Sequence, residues 1–321
     1  MGDVQKIRDD SVLNTEVQGA LAALGQVIRD QDDVIRLSIA AALGGGHILL
    51  EDVPGVGKTS LARGLASVLG LDFQRVQFTS DLLPADIVGG LVLDHEVNRL
   101  VFRQGPVFTS MVLADELNRA SPRTQSALLE AMEERTVSVD GTTHRLPEPF
   151  CVLATQNPLE QHGTYPLPES QLDRFMISLS MGYPSSESEI ELLIRGTQTQ
   201  RALEDLGAQL SAAEVHAIQA MIEAVTVSEE VAGYASRFLS VSRTHSAIHL
   251  GASTRGGLAW LMMSRAWAWL AGRSFVTPDD LIEVAKPVWR HRFVMKSVSS
   301  SNRADGEQCV EDILRGIDPP C

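Results

Sequence analysis

Apolar residues fall at every third or fourth position near the start of the chain: Val17, Leu21, Leu24 and Ile28, then Val34, Leu37 and Ala41 after the Asp32-Asp33 pair. That spacing predicts helices, and Gly44-Gly45-Gly46 ends them. The pattern then changes to short apolar runs at 47–50, 73–78, 111–114, 151–155 and 175–180, separated by helical stretches. Two of those helices cover 60–69 and 122–134, the second turning Leu128, Leu129 and Met132 inward as core residues. Short strands alternating with helices predict an α/β fold, a parallel sheet covered by helices. Two insertions interrupt the alternation. Leu91-Val92-Leu93 and Leu100-Val101-Phe102 flank a polar connection and predict one hairpin. Residues 136–139 and 142–146 predict another around Asp140-Gly141, a turn that needs positive φ at both central positions. Ser138, Thr143 and Arg145 are polar, so this second hairpin is expected to project from the body.

Near Gly182-Tyr183-Pro184-Ser185-Ser186 the strand signal stops, and the remainder of the chain is helical in period. The domain boundary is placed there. An α/β domain over 1–182 includes the helical N-terminal segment and both hairpins, and a helical domain covers 183–321. Ser211, Ser228 and Thr277 precede acidic or Pro-containing helix starts, with Thr277-Pro278-Asp279-Asp280 the clearest cap. Trp260 and Trp267 share a helix face, which predicts buried packing. Residues 297–301 and the stretch Asp318-Pro319-Pro320-Cys321 read as loosely ordered.

A length of 321 residues suits two domains, and 44% apolar with 21% charged residues suits a soluble globular protein. Charge changes the picture more. The net value of −14 disfavours a surface that holds nucleic-acid phosphates throughout, while leaving room for a local basic groove. Cys151, Cys309 and Cys321 are odd in number and far apart, so neither a disulfide framework nor a metal knuckle is expected, and free thiols in a reducing cytoplasm are. Asp3, Asp9 and Asp10 stand where a secretory signal would be basic and then apolar. The most apolar stretch, 258–272, is interrupted by Arg265 and is too short for a bilayer of ~30 Å, so a cytoplasmic protein without membrane insertion is expected.

The segment from His47 to Ser60 reads as an apolar strand, a loop holding Pro54, Gly55, Val56 and Gly57, and a helix opened by Lys58, Thr59 and Ser60. This is the P-loop arrangement. Main-chain N–H groups and the helix N-terminus point at phosphate, Lys58 adds a point charge for the terminal phosphates, and the Thr59 hydroxyl is placed for Mg²⁺. The strict pattern has Gly at its first position, where this chain has Asp52.

A second apolar strand, 111–114, ends in Asp115 and Glu116, the Walker B form. Asp115 is suited to hold Mg²⁺ through water, and Glu116 to polarise the water that attacks a γ-phosphate. The Glu points to hydrolysis rather than transfer to a bound small molecule. A third strand runs into Gln156-Asn157-Pro158. Asn157 lies at a carboxyl strand end, where an open α/β sheet places its ligand, to orient the attacking water or to read the γ-phosphate.

Taken in order, Glu51-Asp-Val-Pro-Gly-Val-Gly-Lys-Thr59, Asp115-Glu-Leu-Asn-Arg-Ala120, Ala154-Thr-Gln-Asn-Pro158, Gly163-Thr-Tyr-Pro-Leu-Pro-Glu169 and Leu172-Asp-Arg-Phe175 resemble the MoxR family of AAA+ ATPases. The resemblance runs from about Gly46 to the C-terminal helices. It implies a P-loop AAA+ three-layer parallel-sheet domain followed by an all-helical lid, with ATP and Mg²⁺ as cofactors. It also implies a homo-oligomeric ring, hexameric as a rule, and chaperone-like maturation, activation or remodelling of partner protein complexes, among them proteins with a von Willebrand A domain. The hairpins resemble the family's helix-2 insertion and pre-sensor-1 hairpin.

The same resemblance gives roles to arginines. Arg174 is similar to the arginine finger, which reaches the γ-phosphate of a neighbouring subunit. Arg255, in Gly251-Ala-Ser-Thr-Arg255, is similar to sensor 2, acting on the nucleotide of its own subunit; the family more often has Pro where Thr254 stands. Arg119 and Arg123 are further interface candidates. A GTP-dependent switch is excluded by the absence of an Asn/Thr-Lys-x-Asp segment, and a small-molecule kinase does not call for Asn157 and Arg174. Lys58, Asp115, Glu116 and Arg174 together oppose a non-catalytic scaffold. The alternative is a nucleic-acid-stimulated AAA+ motor, since projecting hairpins can grip DNA. Against it stand the net charge of −14 and a hairpin whose cations are Arg145 and His144.

Overall fold

The computed structural model describes residues 10–94, 96, 98–157, 163–196, 198–296 and 302–320. Asp3, Asp9, Pro158, the 297–301 stretch and Cys321 lie outside the described residues. The chain opens with α1 (Asp10–Val27) and α2 (Asp32–Leu43). These bury Leu13, Val17, Ala20 and Leu24, then Ile35, Ile39 and Leu43. Leu21, Val34 and Leu37 sit only at the margin of that core. The period is therefore helical as expected: Val17, Leu24, Ile28 and Ala41 are buried, and in α2 the stripe is centred on Ile35 and Ile39 rather than on Val34 and Leu37.

The alternating part comprises β1 (Ile48–Glu51), α3 (Lys58–Val68), β2 (Phe73–Gln77), α4 (Pro84–Val88), β3 (Gly89–Asp94), β4 (Arg99–Gln104), β5 (Met111–Asp115) and α5 (Pro122–Glu134). It continues with β6 (Thr136–Val139), β7 (Thr142–Arg145), β8 (Cys151–Gln156), α6 (Glu169–Leu172) and β9 (Ile177–Leu179). Five strands form one parallel sheet in the order β2-β5-β8-β1-β9. Successive residues of each strand face opposite layers. Ile48, Leu50, Leu113 and Leu153 point into the core shared with α1, α2 and α3, whereas Leu49, Val112, Val152 and Ala154 point into the core under α5. Burial on both faces explains why β1, β5 and β8 read as nearly unbroken apolar runs, whereas the edge strand β2 is largely exposed.

Both hairpins form, as β3–β4 and β6–β7. The second does not stand free. Ser138 and Thr143 share a 3.1 Å hydrogen bond on its open side, but Val137 and Leu146 are buried in the core beneath α5. Phe102 of β4 stacks on His144 of β7 with ring centroids 4.0 Å apart, so the hairpins touch.

Beyond β9 come α7 (Ser186–Arg195), α8 (Gln198–Glu204), α9 (Ala212–Glu223), α10 (Glu229–Thr244), β10 (Ile248–Leu250), α11 (Thr254–Leu270), α12 (Pro278–Trp289), β11 (Val294–Met295) and α13 (Asn302–Arg315). The antiparallel pairing of β10 with β11 is the exception to the helical reading. Ser211, Ser228 and Thr277 are N-caps, and Glu214 and Asp280 complete capping boxes with Ser211 and Thr277. Trp260 is buried against Phe238 and Trp289, at centroid distances of 4.8 Å and 5.6 Å. Trp267 differs from the expectation: it is half-buried, with Arg36 of α2 4.4 Å above its ring. One continuous apolar core joins a face of the sheet to α1, α2 and these C-terminal helices.

Candidate active site

Because β1, β5 and β8 are parallel and adjacent, their carboxyl ends lie side by side; Glu51 pairs with Gln156, and Ala114 with Ala154. Residues 52–57 turn from β1 into α3 there. Gly55 and Gly57 adopt φ of +88° and +98°, which side chains resist, and a Cβ at Gly55 would meet nothing within 4 Å. The loop is therefore open over Gly55. Lys58 reaches back across it, its Nζ donating to the carbonyl oxygens of Asp52 (2.8 Å) and Val53 (3.3 Å). Partial burial holds the Lys58 pKa below its ordinary value, against the opposing pull of Asp52, Asp115 and Glu116. Thr59 and Ser60 lie on the first turn of α3.

Asp52, the departure from the loop pattern, is buried. Its carboxylate accepts from Ser180 Oγ at 3.0 Å and from the main-chain N–H groups of Met181 and Gly182. Glu51 does similar work across the sheet, accepting from Ser178 Oγ at 2.7 Å and from Gln156 Nε2.

Asp115 Oδ1 accepts from Thr155 Oγ1 at 2.7 Å, and Oδ2 accepts from Arg75 Nη2 and Nε at 2.6 Å and 3.2 Å. Glu116 takes a left-handed backbone, φ 57° and ψ 46°, a conformation that costs a non-glycine residue roughly 1–3 kcal/mol. Its N–H donates to Thr155 Oγ1 at 2.8 Å. The carboxylate accepts from Gln77 Nε2 at 2.7 Å and pairs with Arg119 at 3.0 Å. Asn157 is buried at the end of β8, its carbonyl 3.5 Å from Asn118 Nδ2.

This edge suits a nucleoside triphosphate with Mg²⁺: a loop open over Gly55, the Lys58 ammonium, the Thr59 hydroxyl and the Asp115 carboxylate. Among the described residues no group of three or more His, Cys, Asp or Glu could hold a metal ion.

The arginines lie elsewhere. Glu133, in the last turn of α5, binds Arg174 at 2.8 Å and also binds Arg255. With Gly46, His47 and Met176 they line a cavity of about 360 Å³ at the amino end of β1. The P-loop is at the other end of that strand, about 13 Å away for four residues at ~3.3 Å each. Arg255, expected to act on the nucleotide of its own subunit, stands beside Arg174 at this end of β1, both paired with Glu133. Arg123 is exposed on the first turn of α5.

Two family models match the chain: ATPase family associated with various cellular activities (AAA), over residues 47–177, and AAA lid domain, over residues 240–313. Chaperone MoxR1 of Mycobacterium tuberculosis is 36% identical over 95% of this chain and 82% of its own length. The chain belongs to the MoxR family of AAA+ ATPases. Other relatives are the uncharacterized protein YeaC of Bacillus subtilis, 41% identical over 94% of each chain, and protein MoxR of Methylorubrum extorquens, 32% identical over 92% of this chain and 91% of its own. A crystal structure of a candidate ATPase from Cytophaga hutchinsonii superposes with a TM-score of 0.87 at 36% identity, covering 97% of both chains. Among the described residues no helix is long and apolar enough to cross a membrane.

Several contacts of this MoxR-type chain have no signature in the sequence. Arg75 and Gln77 alternate with apolar residues on β2 and read there as solvated strand positions. Glu133 reads as one acidic residue of an exposed helix end. Asp173 reads only as a neighbour of Arg174. In the fold it accepts from Ser253 Oγ at 2.8 Å, the N-cap of α11, and from the buried Arg292 at 2.8 Å. Arg292 also donates to the carbonyls of Phe175 and Met176, at 2.6 Å and 3.0 Å. Asp173, held by the buried Arg292, thus fastens the N-terminus of α11, and so Arg255, beside Arg174. A run of Asp173-Arg174 with an isolated Arg far downstream could not have announced it.

Proposed function

We propose that this chain is a Mg²⁺-dependent ATPase working as a homo-oligomeric ring, hexameric in the family pattern. ATP hydrolysis then drives chaperone-like maturation, activation or remodelling of partner protein complexes. The separation of phosphate-binding and arginine-bearing edges carries this reading, because each edge alone is an incomplete site. Residues 54–57 wrap the phosphates with main-chain N–H groups, Lys58 turns from loop carbonyls to the terminal phosphates, and Ser60 supports the loop at the helix start. Thr59 and Asp115 would hold Mg²⁺, which would supply positive charge against the negative charge of the phosphates. Arg75 releases Asp115 for that purpose. Glu116, freed from Gln77 and Arg119, orients the attacking water and takes its proton, while Asn157 steadies the water or the γ-phosphate. Arg174, with Arg255 at its side, reaches the γ-phosphate held by the next subunit. The chaperone name of the M. tuberculosis relative supports protein clients, among which a von Willebrand A domain protein is the first to seek.

Glu116→Gln tests the reading. The variant is expected to bind ATP, slow hydrolysis by ~10²–10⁴ and accumulate an ATP-loaded assembly that retains its client. Parent-like phosphate release would remove Glu116 from the mechanism. DNA-stimulated turnover with steep salt dependence would transfer the chain to the nucleic-acid motors.

A further inference from the structure

A carboxylate at the first position of a phosphate loop is a liability, since its charge repels the ligand the loop is built for. Asp52 is spared that conflict by where its side chain goes. Both oxygens are turned to residues 180–182, the stretch by which the chain leaves β9 for the C-terminal helices. Ser180 Oγ donates to Oδ1 at 3.0 Å, Met181 N–H donates to Oδ2, and Gly182 N–H is shared between the two oxygens at 3.3 Å and 3.4 Å.

The main chain of the same residue faces the other way. The carbonyl of Asp52 accepts from Lys58 Nζ at 2.8 Å. One residue thus connects the phosphate-seeking lysine to the exit from the sheet. That exit is gripped from its far side as well. Gln31 Nε2 donates to the Met181 carbonyl at 2.8 Å, and Asp30 Oδ2 accepts from the Ser185 N–H and hydroxyl at 3.0 Å and 2.6 Å. Asp30 and Gln31 form the turn between α1 and α2, which share a core with α9 and α11. Met181 is buried, and its methyl group would be 3.6 Å from a Cβ on Gly57.

We propose that Asp52 is a positioning residue that couples the phosphate loop to residues 180–182, so that loading of the loop is transmitted to the helices bearing Arg255. The proposal rests on the ATPase reading above. Binding of phosphate draws Lys58 away from the Asp52 carbonyl, and the carboxylate carries the resulting shift of the loop to Met181 and Gly182. A glycine at this position would cradle phosphate equally well and transmit nothing.

The test uses the full-length chain with Asp52→Gly, and Ser180→Ala as the milder second variant, which deletes one donor. Affinity for a fluorescent ATP analogue, steady-state ATPase kinetics, thermal unfolding and hydrogen exchange of residues 180–185 with and without ATP are measured. For Asp52→Gly, affinity within about threefold of the parent, KM unchanged, kcat reduced at least tenfold and loss of the ATP-dependent change in exchange are expected. Ser180→Ala should lower kcat by a smaller factor with the same unchanged KM. Parent-like kcat in Asp52→Gly overturns the coupling. So does a kcat/KM loss that appears wholly as weaker ATP binding, because Asp52 would then only shape the loop. If Asp52→Gly does not fold, parent-like kcat and exchange in Ser180→Ala overturn the coupling. A parent that neither binds nor hydrolyses ATP removes the ATPase reading and the coupling with it.

Discussion

At the carboxyl end of the sheet stand Lys58, a loop open over Gly55, and the Asp115 and Glu116 carboxylates with Arg75 and Arg119 paired to them; at its amino end Arg174 and Arg255 share a single carboxylate, Glu133. The first end can seat a phosphate chain and water, but its arginines are each engaged by a carboxylate of their own. The second has cations to spare and no loop to seat a ligand. β1 connects them through four buried residues, so neither end can bend round to complete the other. In the proposed ring, two copies stacked edge to edge would solve the problem, and the acidic bulk charge says little about such a composite site. Its cations would be drawn from two chains.

Arg174→Ala puts this contrast under the greatest strain. Turnover is expected to fall by ~10³–10⁵, about 4–7 kcal/mol of barrier, with ATP affinity retained. Equal ATPase rates at concentrations where the parent assembles would leave the amino end without a catalytic purpose. Arg255→Ala should cost roughly 10²–10³, the range for one lost charge-stabilising donor. Mixing it with Lys58→Ala subunits discriminates between the two geometries. Each variant keeps what the other lacks if Arg255 acts across the interface, so turnover should recover; a mixture as inactive as its parts would return Arg255 to its own subunit.

A third expectation concerns the amino end alone. His47 opens that end of β1, with Nδ1 accepting the Val152 N–H at 3.0 Å and Nε2 facing the Met132 carbonyl at 3.2 Å. Burial, aided by Arg135, pushes its pKa down to about 3. The unfolded chain takes up this proton below about 6.5 while the folded chain refuses it until about 3, so stability falls with pH across that window. At pH 5 the loss is about 2 kcal/mol relative to pH 7, and it should be visible in urea unfolding. A His47→Gln chain that lost stability in parallel with the parent would assign the acid sensitivity to other groups.

The smallest effect is expected at the carboxyl end. The Arg75–Asp115 pair is partly exposed, and exposed pairs contribute roughly 0.2–1 kcal/mol. Arg75→Gln should therefore lower the Mg²⁺ concentration needed for tight binding of a fluorescent ATP analogue by up to about fivefold. An unchanged or higher requirement would make Arg75 a helper of the metal site rather than its competitor.

Much of this is legible in the unfolded chain. The apolar runs ending in Lys58-Thr59, Asp115-Glu116 and Asn157 each carry their chemistry within a few residues, and parallel pairing can bring such strand ends only to one edge. The second hairpin is legible from Asp140-Gly141 and the alternation around it. Other features depend on partners far apart in the chain. The pull of Asp52 on Met181 spans 129 residues, and that of Asp173 on Arg292 spans 119. Nothing in the spacing of single polar residues marks such pairs. Helical period puts Trp267 on the face of Trp260 but does not tell what lies opposite it, and Arg36 lies there.

The order of strands and helices, the phosphate loop and the family were all written in the linear chain, because they depend on local periodicity and on motifs held within one turn. Which edge each charge occupies was settled by packing alone. Arg255 is 197 residues beyond Lys58 in the chain, and its place is set by α11 docking through Ser253, Asp173 and Arg292. That docking sets Arg255 beside Arg174 and, in the proposed ring, offers both to the neighbour's phosphate loop.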